Sequence, residues 1–127
     1  MTEDEASVLA ANRAFYAAYE FSDLDAMSDL WEHSDRASCV HPGCPVLRGW
    51  AAVGASWMAL FQQHHDQQFL VADEHVVVVG DAAWVTVDEN ILLPDGAVAV
   101  SALNLFVRVD GTWKMVGHHG TGVAPRD

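Results

Sequence analysis

Basic residues are scarce in this chain: six Lys and Arg stand against eighteen Asp and Glu, a formal charge of −12 at neutral pH. A field of that sign repels phosphate backbones and anionic lipid, which argues against nucleic acid and membranes as partners. Long apolar runs are missing too. No stretch approaches the roughly 20 apolar residues that span a bilayer, and the N-terminus is acidic where a secretory leader is basic and then apolar. A soluble, cytoplasmic protein is the expectation. Cysteine is nearly absent, and the spacing of Cys39 and Cys44 fits neither the Cys-x-x-Cys redox motif nor a paired zinc framework, so two free thiols in a reducing compartment are expected. A phosphate-binding glycine loop, a Gly-x-Ser-x-Gly elbow and a Ser-His-Asp context are lacking as well, which leaves nucleotide use and serine hydrolase chemistry unsupported. No cofactor is expected.

What is present reads as one compact domain, because 127 residues that are 51% apolar suffice for a single core and not for two. Thr2 with Glu5 makes a capping box, and Val8, Ala11, Phe15 and Tyr19 then recur at helical spacing, which predicts a first helix over 2–20. Ser22 with Asp25 repeats the capping pattern before Leu24, Met27 and Trp31, predicting a second helix that ends near His33. Ala37 to His41 predicts a short strand running into Pro42-Gly43, and Trp50, Val53, Trp57, Leu60, Phe61 and His64 mark one side of a third helix. Four β-rich runs follow, over 67–79, 82–93, 97–109 and 112–119. They are joined by Gly80-Asp81, Pro94-Asp95-Gly96 and Asp110-Gly111, the residues that tight turns of an antiparallel meander demand. Helices first and a meander second predict an α+β domain with helices on one sheet face. Leu103, Leu105, Val107 and Val109 leave the other face apolar, so a homodimer through that outer face is expected.

Cys39-Val40-His41-Pro42-Gly43, Leu47-Arg48-Gly49-Trp50, Ser56-Trp57, Asn104-Leu105-Phe106 and the ending Asp110-Gly111-Thr112-Trp113-Lys114 through His119, in this order of elements, resemble the nuclear transport factor 2-like superfamily. Within it the chain is similar to the SnoaL-like and ketosteroid-isomerase-like proteins. The resemblance implies a cystatin-like, cone-shaped curved antiparallel sheet wrapped around three helices of the N-terminal half, with a pocket inside. It also implies isomerase, dehydratase or cyclase chemistry on a small hydrophobic molecule, or no chemistry at all.

The chain's seven histidines suit acid, base or metal-ligand work, since imidazole titrates near neutrality, and three of them close predicted strands: His41, His118 and His119. In the ketosteroid isomerases the resemblance implies a first-helix Tyr, a carboxylate base near the first strand and a hydrogen-bond donor on a later strand. Tyr16 fits the first; no Asp or Glu stands in Ser38-Cys39-Val40-His41, and His41 takes the place of the base. Asn104 and Tyr16 would then donate toward developing oxygen charge. Strand register decides which of His118 and His119 faces the pocket: a two-residue Asp110-Gly111 turn pairs Val109 with Thr112, hence Asn104 with Gly117, and turns His119 inward with Phe106 and Met115, whereas a three-residue loop with a glycine bulge turns His118 inward. The first is favoured. Trp57, Phe61 and Trp31, with Phe106 and Met115, are the candidate ligand-binding wall. A metal alternative uses His41, one of His118 and His119, and Cys39, although no carboxylate ligand or diagnostic spacing accompanies them. The second alternative is a dimeric small-ligand-binding or association module without chemistry. His33, His75 and His64-His65 are expected at helix ends or on the surface.

Overall fold

The computed structural model describes residues 1–63 and 67–124. The elements are α1 (Glu3–Glu20), α2 (Leu24–Leu30), β1 (Ser38–Val40), β2 (Leu47–Arg48), α3 (Trp50–Phe61), β3 (Gln68–Val79), β4 (Ala82–Leu93), β5 (Gly96–Val109) and β6 (Thr112–Gly122). Helix α1 begins at the expected capping box: Thr2 Oγ1 accepts from the Glu5 amide at 3.1 Å, and Glu5 Oε1 accepts from the Thr2 amide at 2.8 Å. Helix α2 starts one residue later than the Ser22 pattern predicts. Ser22 adopts φ 51°, and Asp23 is the cap, its carboxylate accepting from the Ala26 amide at 3.1 Å. The helix also stops at Leu30, short of His33. Helix α3 ends at Phe61; His64 and His65 lie outside the described residues.

The six strands form one curved, unclosed sheet in the order β2-β1-β6-β5-β4-β3. The four long strands pair as the expected meander, while the unforeseen two-residue β2 pairs antiparallel with β1. Strand β1 is parallel to β6, with Cys39 opposite His118 and Val40 opposite His119. That edge pairing brings position 41 beside the end of the chain. Ala83, Val85, Val87 and Glu89 of β4, Val100, Ala102, Asn104 and Phe106 of β5, and Trp113, Met115 and His118 of β6 are buried, the period-two pattern of a sheet with one face on a core. The helices supply Phe15, Tyr19, Met27, Val53, Trp57 and Phe61 to that core, each large apolar side chain contributing about 2 kcal/mol through removal from water. The opposite face carries Val77, Trp84, Leu105 and Val107 in adjoining rows. It leaves Val77 41% and Val79 60% exposed.

Two irregularities bend the sheet. On β3 the ladder shifts between Ala72 and His75, with Asp73 at φ 55°. On β6, Phe106 faces Met115 while Leu105 faces Gly117, so Val116 is an extra residue. Beside it, on the edge of β6 turned away from β5, the Glu32 amide donates to the Met115 carbonyl at 2.9 Å and Trp31 bridges to Met115.

Candidate functional site

The bulge at Val116 decides which terminal histidine enters the core. The Asp110-Gly111 turn does pair Val109 with Thr112, as expected, but one residue of slip places Asn104 opposite His118 rather than Gly117. Every residue beyond the bulge then changes face. His118 is 1% exposed and lies against Phe15 and Trp57, with ring centroids at 4.9 and 5.9 Å. The inward placement expected for His119 is thereby corrected: it sits on the outer face, half-buried, with Nε2 3.1 Å from Ser38 Oγ.

Among the described residues four polar or charged side chains are buried: Asn12, Glu89, Asn104 and His118. Together with Tyr16 they form one network. His118 Nδ1 lies 2.6 Å from Asn104 Oδ1, and the Asn104 amide nitrogen donates to Asn12 Oδ1 at 2.8 Å and to the Tyr16 hydroxyl at 3.1 Å. The Tyr16 hydroxyl donates to Glu89 Oε2 at 2.5 Å. Because Asn104 Oδ1 can only accept, His118 carries its proton on Nδ1 and leaves a lone pair on Nε2. Burial, then the nearby His41 and His119, pushes the His118 pKa down to about 3, so the ring is neutral at pH 7. Burial raises Glu89 to about 7, against the opposing pull of the Tyr16 bond, and the Tyr16 phenol is pushed up by burial and by Glu89.

Asn12 and Glu89 were not singled out from the sequence, though both had a signal. Asn12 stands four residues from Val8 and from Tyr16, on the core stripe of α1, and Glu89 continues the alternation Ala83, Val85, Val87. Glu74, turned by the β3 bulge, reaches Arg13 at 3.2 Å and Asn12 at 3.4 Å, tying the network to the surface.

His41 follows β1 and meets Trp57 edge to face, with ring centroids 4.9 Å apart. Its Nε2 lies 3.0 Å from Ser56 Oγ and 3.7 Å from Cys39 Sγ. Ser56 spends its one hydroxyl proton on the Val53 carbonyl at 2.6 Å, so Nε2–H of His41 is the donor to Ser56 and Nδ1 bears the lone pair. Burial holds His41 below the ordinary imidazole value. Cys39 is driven up to about 12, chiefly by burial, and is a thiol at neutral pH. Among the described residues no group of three or more His, Cys, Asp or Glu side chains is placed to hold a metal ion.

The structure therefore brings His41, His118, Asn104 and Tyr16 into one interior, with Trp57, Phe61, Trp31, Phe106 and Met115 all buried in the same core. Tyr16 and Asn104 are saturated by one another and their neighbours. His33 is exposed and stacks on Trp50 at 4.3 Å, and His75 is exposed on the outer face, both as expected.

The model of the SnoaL-like domain matches residues 8–125. The chain belongs to the SnoaL-like domain family. A crystal structure of a candidate dehydratase of the nuclear transport factor 2-like family from Streptomyces avermitilis resembles this SnoaL-like chain with 37% identity and TM-score 0.88, over 96% of this chain and 97% of that one. A candidate calcium/calmodulin-dependent protein kinase type II association domain from Thiobacillus denitrificans is 34% identical, with TM-score 0.85 over 91% and 94% of the two chains. F-box protein SKIP8 of Arabidopsis thaliana is 28% identical over 115 residues, which are 91% of this chain and 49% of that protein. This SnoaL-like chain thus spans about half the length of that curated relative.

Proposed function

We propose that this SnoaL-like domain catalyses cofactor-independent proton transfer, of isomerase, dehydratase or cyclase type, on a small, largely apolar molecule held among Trp57, Phe61 and Phe15. The observation that carries the reading is a pair of neutral imidazoles that both pack against Trp57: His41, whose basic Nδ1 is unpartnered, and His118, aligned by Asn104. His41 takes a proton from the ligand and returns it to another of the ligand's atoms. His118 is the second imidazole, and Asn104, Tyr16, Asn12 and Glu89 position it rather than touch substrate. The candidate dehydratase among its relatives supports the same class of chemistry.

Deuterium exchange into a panel of enolisable one- to four-ring ketones in D2O, followed by NMR, tests this. Wild type should exchange an α-proton faster than buffer, with His41→Ala returning to the buffer rate. No exchange above buffer in any ketone overturns the proposal.

A second reading, an association module, is favoured by the apolar rows of the outer face, where Val77 and Val79 are exposed and Leu105 half-buried, and by the likeness to a candidate kinase association domain. It is compatible with the first, since the rows lie on the outer face. In this reading two copies pair isologously through β3, β4 and β5.

A further inference from the structure

Helix α3 carries no charged residue, and Ala51, Ala55 and Met58 on it are exposed, in a chain of formal charge −12. Between this helix and α2 lies a cavity of about 410 Å³, with Leu24, Asp25, Ser28, Trp50, Gly54 and Met58 in its walls. The walls are held in place. A glycine inside a helix is less stable than alanine there, and at Gly54 a Cβ would lie 3.1 Å from Trp50 Cε2 and Cζ2. The missing side chain lets the indole lie along the helix. His33 stacks on that indole at 4.3 Å with the planes 6° apart, and its Nε2–H donates to the Ser28 carbonyl at 2.9 Å. The groove is thus shaped before any ligand arrives, which lowers the cost of binding one.

Its chemistry selects a cation. Trp50, Met58 and Leu24 offer ring, thioether and branched aliphatic surface, which suits an aromatic body. Asp25 is exposed and, among the described residues, its carboxylate has no ion pair or hydrogen bond. Among the described residues no Lys, Arg or His lines the cavity. An anion would meet repulsion at Asp25, and a neutral apolar molecule would leave the carboxylate unused. We propose that the α2–α3 groove binds a small organic ammonium ion with an aromatic body, whose N–H groups donate to Asp25 and whose ring rests on Trp50 and Met58. The site is separate from the interior around His41 and His118: Met58 lines the groove, whereas Met27 and Met115 are buried in the core.

Phenethylammonium, phenethyl alcohol and hydrocinnamate share a phenyl ring and a short arm and differ in charge. Titrations of protein isotope-labelled at the methionine methyls, with Met58 assigned by its loss in Met58→Leu, should show the cation binding about fivefold tighter than the alcohol. Hydrocinnamate should bind more weakly than either. The Met58 methyl should move while those of Met27 and Met115 stay. Asp25→Asn should remove the preference for the cation. Asp95→Asn in the β4–β5 turn, an equal change in overall charge, should keep it. Ala55→Trp, which fills the groove from an exposed position, should abolish the Met58 shift with cation and alcohol alike. Equal binding of cation and alcohol to wild type overturns the proposal, a result that needs no variant to fold. So does an equal loss of preference in Asp25→Asn and Asp95→Asn, which assigns it to the overall field, and so does a Met58 shift that survives in Ala55→Trp. Shifts at Met27 or Met115 with Met58 unmoved place the probe in the interior and overturn it too.

Discussion

Glu89 and His118 are shifted in opposite directions by the same burial, and their effects on stability run against each other. The carboxyl is held up from 4.5 to about 7 and the imidazole down from 6.5 to about 3. Below pH 6.5 the unfolded chain binds a proton at His118 that the folded chain refuses, so stability falls with pH toward about 3. Above pH 4.5 the unfolded chain releases a proton that folded Glu89 keeps, so stability falls as pH rises toward about 7. Between 4.5 and 6.5 the two slopes cancel, and this pair contributes a plateau. Melting temperatures across pH should show Glu89→Gln gaining on wild type from pH 4.5 to 7, by on the order of 3 kcal/mol. His118→Gln should gain on wild type as pH falls below 6.5. Parallel wild-type and variant curves would refute the assignment. Asn104→Leu strands Asn12, Tyr16 and His118 at once, and should cost about 3 kcal/mol in urea midpoint at an unchanged denaturant slope.

Among the elements, the β3 bulge rests on Asp73 at φ 55°, which aims Glu74 at Arg13 and Asn12. Asp73→Gly should be within about 0.5 kcal/mol of wild type, since glycine adopts this conformation freely. Asp73→Val should cost about 1–2 kcal/mol, because a branched side chain meets its own carbonyl there. Equal losses in chemical denaturation would refute the role of the bulge. Local signals made much of this scale legible from the residues: the Thr2–Glu5 box, the Asp110-Gly111 turn and the spacing of Trp57 and Phe61 each act within a few positions. The α2 cap was displaced because Ser22 and Asp23 each offer an oxygen, and only backbone geometry chose Asp23. The β6 register was not legible. It turns on the extra Val116, which lies beside a bond from the distant Glu32 amide to the Met115 carbonyl and carries no local signal of its own. Glu89 was legible by strand alternation alone, but its meaning came from Tyr16 and Asn104, which only the fold brings together.

At the scale of the whole molecule, two copies each carrying a formal −12 repel one another while apolar surface around Leu105 draws them together. Sedimentation should therefore show the proposed dimer tightening as salt rises from about 0.05 to about 0.5 M, as screening removes the repulsion and leaves the burial. Leu105→Lys should yield monomer at all salt concentrations while retaining the tertiary spectrum. A dimer that weakens with salt would place the interface on charged surface elsewhere.

The parallel pairing of β1 with β6 also sets an order of events in time. The hairpins from β3 to β6 connect near neighbours, whereas Cys39 meets His118 across α3 and the whole meander, and contacts that close large loops come late in folding. His41 and His118 thus come together only when this edge closes, and a partly folded form should lack the pair. Pulse-labelled amide exchange during refolding should find Cys39 and Val40 protected after Val85 and Asn104. The proposed site would then be assembled as the closing act of folding, absent from every unfinished molecule.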